Sequence, residues 1–564
     1  MTALLEVRVR FPGSVRRRTD TIGTMPIRDS IARGRSVVAA LRRARLIAPL
    51  RPDKYLRMAA AMRRERMSAT SGFAGAARRC PDRPGLIDEI GTLTWRELDQ
   101  RADAFAAALQ DLPDGAPAVI GILCRNHRGF VDALVAANRV GADTVLLNTS
   151  FAGPALADVV QREAPDAIVY DEEFTAMVDR ALDGRDDITR IVAWTDTPQS
   201  GRTVEDMIRT HTGQRPQRPE RKGRLVLLTS GTTGSPKGAK RSGGGVGELA
   251  AVLTRTPYRA EETTVVMAPM FHAWGWSQLV MAATLACTVV TQRRFDPEAT
   301  LKLIDRYQAT GLSVVPAMFD RIMDLPDEVR SRYSGRSLRL AVASGSRMRP
   351  DVVIAFMDQF GDVIYNNYNA TEAGMIATAT PADLRAAPDT AGRPAEGTEI
   401  HILDADFNEL PAREVGQIYV SNSTGFDGYT TGTTKDFHAG FMASGDLGYL
   451  DEAGRLFVVG RDDEMIVSGG ENIYPIEIEK TLITHPAVAE ATVLGVDDEQ
   501  FGQRLAAFVV LKPGAQAGVD DLKQHVRDNL ANYKVPREIH LLDELPRNIT
   551  GKIVRKDLLA LVSG

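Results

Sequence analysis

The sequence predicts an α/β protein: a large N-terminal domain of mostly parallel, helix-covered sheets with a β-rich subdomain, then a small mobile α+β C-terminal domain. Three observations lead there. At 564 residues the chain is too long for one ordinary core, since single cores stop growing near about 250–300 residues. From about residue 85, apolar runs that do not alternate are separated by helical patterns, as in parallel sheets covered on both faces. After about Ala395, and again from Met465, short strands with turn signals replace that texture.

In chain order, "TWRE" (Thr94–Glu97) is a capping box that opens a helix running to about Leu109. "AVIGILC" (Ala118–Cys124) is a buried strand, and Arg128–Gly141 is a helix closed by its glycine. "TVLLN" (Thr144–Asn148), "AIVYD" (Ala167–Asp171), "RIVAW" (Arg190–Trp194) and "LVLLT" (Leu225–Thr229) continue the strand series. "TTVVMA" (Thr263–Ala268), "LSVVPA" (Leu312–Ala317) and "LRLAVAS" (Leu338–Ser344) follow with helical patterns between them. "TEIHILD", "GQIYVSN" and "GRLFVVG" form the β-rich subdomain. Beyond the polar link Gly460–Met465, strands "AEATVLGV" and "RLAAFVVL" and helices near Ile476–Ile483 and Asp520–Leu530 make the small domain. The expected division is a basic extension over 1–67, a main domain over 68–462 and a C-terminal domain over 463–564.

Composition narrows the function. Hydrophobic residues are 44% and charged residues 25% of the chain, ordinary for a soluble globular protein. A net charge of −4 gives no case for nucleic acid as the main partner. Three separated cysteines (Cys80, Cys124, Cys287) and eight scattered histidines show neither CxxC nor HExxH spacing. A reducing cytoplasm is expected and a structural zinc site is not. No run of about 18 apolar residues exists. The arginine-rich start includes "VVAALRRARLIAPL" (Val37–Leu50), a candidate basic amphipathic helix. It fits peripheral attachment to the inner face of an anionic membrane. The favoured reading is a solvated arm packed on the body, or sequence upstream of a start at Met25.

The strand Leu225–Thr229 runs into "TSGTTGSPKG", a turn dense in glycine and hydroxyls. Such a turn offers backbone N–H groups as an anion nest. Gly231, Gly234 and Gly238 permit the bend. Thr229, Ser230, Thr232, Thr233 and Ser235 add hydroxyl donors, and Lys237 adds a cation. The spacing fails the GxxxxGK[ST] pattern, so a phosphate site and a flexible surface loop both stay open on physics alone.

"LTSGTTGSPKG" closely resembles the signature of the adenylate-forming superfamily, which includes acyl-CoA and aryl-CoA ligases. Further resemblances occur in the family's order: "MFHAWG" (Met270–Gly275), "NYNATE" (Asn367–Glu372), "ASGDLG" (Ala443–Gly448), "GRDDEMIVSGGENIYPIEIE" (Gly460–Glu479) and "PRNITGK" (Pro546–Lys552). The likeness spans roughly residues 70 to 560. It implies a two-step reaction. A carboxylate attacks the α-phosphate of ATP, releasing pyrophosphate; the thiol of coenzyme A then displaces AMP.

By resemblance, Thr229–Gly238 takes the β- and γ-phosphates, Glu372 holds Mg²⁺ and Thr371 bonds the α-phosphate. Asn367 and Tyr368 fall in the adenine-binding motif, with Tyr368 against the base. Asp446 accepts both ribose hydroxyls, and Arg461 contacts ribose and phosphate. Lys552 reaches in from the small domain to bridge carboxylate and α-phosphate. Asp463 is the hinge, and Gly469 and Gly470 admit pantetheine. Lys534 and Arg537 are candidates for CoA phosphates. His272, Trp274 and Trp276 line the acyl route. The family's glycine after the motif tyrosine is here Asn369. Asparagine tolerates a positive φ better than most residues, so the turn can survive, while its side chain intrudes near the acyl pocket and leaves chain length open. The absence of a charged residue in the acyl stretch points to an apolar tail, fatty or aryl. A medium- or long-chain fatty acid is the leading expectation. An aryl-CoA ligase, an acyl-AMP ligase loading a carrier protein and a silent nucleotide-binding regulator are the alternatives. No carrier domain is expected after Gly564, and a homodimer is left open.

Overall fold

The computed structural model describes residues 27–47, 51–66, 68–151, 153–196, 202–229, 237–241, 246–422, 428–430, 434–461, 465–468, 471–498, 502–548 and 551–562. Strands β1 (Pro84–Ile87) and β2 (Thr92–Thr94) begin one sheet that is completed later in the chain. Strands β3 (Val119–Leu123), β4 (Asp143–Leu146), β5 (Ala167–Asp171), β6 (Thr189–Trp194), β7 (Leu225–Thr229) and β8 (Lys237–Arg241) form a six-stranded sheet. Its order is β6-β5-β3-β4-β7-β8, parallel except for the terminal β7–β8 pair.

Strands β9 (Thr263–Val266), β10 (Thr288–Val290), β11 (Gly311–Val314), β12 (Leu340–Ala343), β13 (Ile364–Ala370), β14 (Gly374–Ala379) and β15 (Arg393–Pro394) complete the first sheet. Its order is β15-β14-β13-β12-β11-β9-β10-β1-β2. The run from β13 to β1 is parallel, with antiparallel strands at both margins. The parallel strands are buried apolar runs such as Leu340–Ala343, as the absence of alternation predicts. Strands β16 (Glu399–Leu403), β17 (Gly416–Ser421), β18 (Phe437–His438), β19 (Phe441–Leu450) and β20 (Leu456–Arg461) make the β-rich subdomain. Strands β21 (Ile466–Ser468), β22 (Glu471–Ile473), β23 (Val488–Asp498), β24 (Gly502–Leu511) and β25 (Glu538–Leu542) form the small domain's sheet. Helices Pro475–Ile483 and Val519–Asn529 pack Ile478, Leu482, Leu522 and Val526 into its core.

From Ile27 the described part of the N-terminal segment is helical and attached to the body. Helix α1 (Ile27–Arg43) starts earlier than the expected Val37 and buries Ala40 in the main core. Helix α2 (Pro52–Arg64) leads into α3 (Ser71–Arg79). Helix α4 (Trp95–Gln110) begins with the expected capping box at Thr94, and α5 (Arg128–Val140) ends on Gly141 at φ 80°. Arg139 on α5 binds Glu65 at 2.9 Å, Asp99 at 2.6 Å and Asp103 at 2.9 Å. That buried network crosses residue 67, so the segment just before it packs as part of the body rather than as a loose arm.

Candidate active site

Parallel strands place their C-terminal ends on one edge, where a sheet of this kind opens to ligands. Beyond β9 lies His272, the N-cap residue of helix Ala273–Thr284. Beyond β11, Pro316 and Ala317 start helix Pro316–Met323. At the end of β13 the chain runs through Tyr368 and Asn369 into the turn holding Thr371 and Glu372.

The described residues gather one charged cluster here. The Tyr368 hydroxyl donates to Asp446 Oδ2. Asp446 pairs with Arg461 across β19 and β20, with Arg461 Nη1 3.7 Å from Asp446 Oδ1. Burial pushes the Asp446 carboxyl up, against the pull of Tyr368, Arg461, Lys435 and Lys552. Burial, and then the neighbouring Asp446, also push the Tyr368 phenol well above its ordinary range. A carboxylate held in so poor a solvent gains from any ligand that offers hydroxyl donors.

Glu372 is buried and accepts a hydrogen bond from the Tyr429 hydroxyl at 2.5 Å. Burial, then that bond, raise the Tyr429 phenol. A buried carboxylate beside a neutral hydroxyl is a hard oxygen donor that suits Mg²⁺. Thr371 is half-buried beside it.

The small domain supplies the fourth corner. Lys552 N donates to Asn548 Oδ1 at 3.0 Å, and Gly551 N to Asn548 O at 2.8 Å, closing a tight turn. A Cβ on Gly551 would stand 2.6 Å from Ala317 Cβ, so this turn touches the strand edge. Burial first, and then the Lys552 ammonium, lower His272 to about 4. Lys552 thus stands within electrostatic reach of both His272 and Asp446.

Several expectations are corrected. The Asn367 side chain does not face the cluster; it is buried and accepts from Thr378 Oγ1 at 2.9 Å within the sheet. Trp274 is a core residue, its indole N–H donating to Val314 O at 2.9 Å. Asn369 is not among the positive-φ residues; it sits on β13 beside a register shift, paired with Met375. The two candidates for CoA phosphates stand apart from these corrections: Lys534 is ion-paired with Glu477, and Arg537 with Asp498 at 2.8 Å.

The predicted nest lies mostly outside the described residues: Ser230, Gly231, Thr232, Thr233, Gly234 and Ser235 fall there, as do Asp463, Gly469 and Gly470. The backbones of Thr229 and Lys237 pair at the mouth of that loop. Gly238 is needed for packing, since a Cβ would meet Val226 at 2.7 Å and Thr430 at 2.8 Å.

Two residues escaped sequence reasoning. Lys435 reaches Ser444 O at 3.1 Å and lies beside the Gly445–Asp446 turn. Tyr429 holds Glu372 from 57 residues away. Neither sits in a motif, and long-range pairing leaves no local signal. The scattered Cys124, His127 and Asp171 also come together. His127 and Asp171 serve the start of α5, where His127 Nδ1 accepts Gly129 N–H at 3.0 Å and Nε2 meets Asp171 Oδ1 at 2.7 Å, while the Cys124 thiol donates to Val169 O.

Comparison with known proteins bears on this geometry. A model of AMP-binding enzymes matches residues 73–430, and one of the AMP-binding enzyme C-terminal domain matches 477–552. The chain is 31% identical to indoleacetate–CoA ligase of Aromatoleum aromaticum, covering 84% of this chain and 93% of the relative. It is 30% identical to 2-succinylbenzoate–CoA ligase of Geobacillus kaustophilus, over 86% and 96%. Among solved structures, o-succinylbenzoate CoA synthetase of Bacillus subtilis with its acyl-adenylate intermediate aligns at TM-score 0.73. That match is 27% identical over 86% of this chain and 97% of the other.

Proposed function

The chain belongs to the AMP-binding enzyme family, and on that premise we propose that it is an AMP-forming acid–CoA ligase whose acid carries an aromatic or related ring. The observation that carries this is the docking of the Gly551–Lys552 turn against Ala317, which brings Lys552 within electrostatic reach of His272 and of the Tyr368–Asp446–Arg461 cluster at one strand edge.

In the first half-reaction a carboxylate oxygen bonds to the α-phosphorus of ATP and pyrophosphate leaves. Two anions must approach, so positioning and charge neutralisation dominate. Lys552 lies across carboxylate and α-phosphate. Asp446 exchanges the Tyr368 hydroxyl for ribose hydroxyls, and Arg461 follows it. Tyr368 stacks beside the adenine. The loop Thr229–Gly238, with Lys237, holds the outer phosphates, and Thr371 bonds the α-phosphate. Glu372 is the residue to hold Mg²⁺, which supplies neutralising charge to phosphate oxygens. In the second half the CoA sulfur attacks the acyl carbon, loses its proton, and AMP leaves. The small domain turns at Asp463 for this step, and Gly469 and Gly470 flank the thiol. Lys534 and Arg537 exchange Glu477 and Asp498 for CoA phosphates.

The fatty-acid expectation gives way to the aryl alternative on two grounds. The relatives are named for indoleacetate and 2-succinylbenzoate. In addition, His272 Nε2, Trp276 Nε1 and Asn369 Oδ1 are buried without a hydrogen-bond partner among the described residues. Each such atom costs roughly 1–3 kcal/mol. An alkyl chain leaves that cost standing, whereas a ring acid bearing a carbonyl, hydroxyl or ring nitrogen relieves it.

The test is acid-dependent exchange of labelled pyrophosphate into ATP across ring acids and straight-chain acids from octanoate to palmitate. Ring acids are expected to lead by about tenfold, equivalent to 1.4 kcal/mol; a lead for straight chains would restore the fatty-acid reading. Lys552→Ala should cut exchange by about 10²-fold or more while sparing CoA transfer from supplied acyl-AMP. Equal loss of both halves would contradict its role.

A further inference from the structure

Helices α1 and α2 lie before residue 73, where the family match begins, and nothing in the chemistry above uses them. Their charge sets them apart. Residues 1–67 hold seventeen Lys and Arg against five Asp and Glu, a net +12. The remaining residues carry −16, which gives the −4 of the whole.

The orientation of α2 is equally unusual. Pro52, Tyr55, Leu56, Ala59, Ala60 and Arg63 are exposed, recurring every three to four residues. They therefore form one outward stripe, apolar for most of its length. Leu56 is 73% exposed, and no residue of α2 is fully buried. Val38 on α1 and Ile47 just beyond it are also 43% and 48% exposed. The two segments share a support: Arg79 Nη2 donates to Arg45 O at 2.8 Å, while Lys54 Nζ donates to Arg79 O at 3.2 Å. Arg42, Arg43 and Arg63 on the same two helices are exposed, as is Arg57, which is ion-paired with Asp53 one turn earlier.

We propose that this two-helix cap is a docking face for an anionic lipid surface. The Tyr55–Leu56 stripe and Ile47 enter the boundary between headgroups and acyl chains, and the exposed arginines meet lipid phosphates. An apolar face that sheds water explains the stripe, and an anionic bilayer explains the cations. Nucleic acid would satisfy only the second, because exposed aliphatic side chains gain nothing on a phosphate backbone. No described helix is long and apolar enough to cross a membrane, so the contact is peripheral. A short stripe with a basic rim gives reversible, salt-sensitive attachment.

The full chain is co-sedimented with vesicles of phosphatidylcholine alone and with about 30% phosphatidylglycerol, in low salt and in about 0.5 M NaCl. Binding to the mixed vesicles should exceed that to phosphatidylcholine by about tenfold and largely disappear in salt. Leu56→Asp and Arg63→Glu should each lower partitioning about fivefold or more, with melting temperature and pyrophosphate exchange unchanged. If Leu56→Asp unfolds the protein, Arg63→Glu decides. Equal partition to both vesicle types, no loss in Arg63→Glu, or retention on duplex DNA without vesicle binding would overturn the proposal.

Discussion

At the scale of single residues, the site is governed by what burial does to charge. His272 is lowered to about 4, first by burial and then by Lys552, so it is neutral at pH 7 and adds no positive charge beside that lysine. The sign of its effect on stability follows. The folded value lies below the ordinary 6.5, so the unfolded chain binds the proton more readily as pH falls from 6.5 towards 4. Stability should drop across that window. Asp320, raised to about 6 by burial, acts with the opposite sign: its folded value exceeds the ordinary 3.8, so it gains stability as pH falls from 6. Comparison of His272→Gln with the parent isolates the histidine. The parent should lose roughly 1–2 kcal/mol more than the variant between pH 7 and pH 5, a figure discounted because the ring is partly exposed. Thermal melts at both pH values measure it, and parallel pH profiles would refute the assignment.

At the scale of elements, local sequence signals settle where each piece starts and stops. The clearest case is α4, whose Thr94 side chain accepts Glu97 N–H at 3.2 Å while Glu97 Oε2 accepts Thr94 N–H at 2.7 Å. Thr94→Ala should remove about 1 kcal/mol, lowering the melting temperature of the main domain by roughly 2–4 °C without changing kcat/KM. The same locality explains what was legible. Strands β5 and β7 fall on the expected residues because apolar runs bounded by polar residues encode themselves. The motif residues Tyr368, Asp446, Arg461 and Lys552 were legible as a set through their order along the chain. Partner choice was not. The Tyr429–Glu372 bond, the turn of Asn367 into the sheet and the Arg139–Glu65 pair each join elements that no local rule relates. Asn369 is a related case: its residue type tolerates a positive φ, but pairing with β14 leaves that tolerance unused. The outward stripe of α2 was hidden as well, since helical periodicity reports that a face is apolar and not what it faces.

At the scale of the whole molecule, two contacts hold the small domain against the main domain, and the proposed role of Lys552 makes this the adenylation pose. Lys480 Nζ sits 2.7 Å from Asp389 Oδ2, tying helix Pro475–Ile483 to the main domain. The lysine turn is braced from within by Arg547 Nη1 on Gly551 O at 2.7 Å, and it meets the main domain at Ala317. Gly551 is the narrow point of that contact. Its φ of 78° lies where side chains are strained, and its missing Cβ leaves room for Ala317 Cβ. Gly551→Val should therefore oppose docking of Lys552 without touching any group that handles CoA. We expect pyrophosphate exchange to fall about tenfold or more, the strain alone being worth about 1–3 kcal/mol, while CoA transfer from supplied acyl-AMP is unchanged. Because the clash and the strain are separable, Gly551→Ala and Ala317→Gly form a double-mutant cycle. Removing Ala317 Cβ should restore part of the exchange lost in Gly551→Ala, the remainder being the cost of positive φ. If Ala317→Gly brings no recovery, or if both half-reactions fall together, the docked pose is not the one in which adenylation occurs.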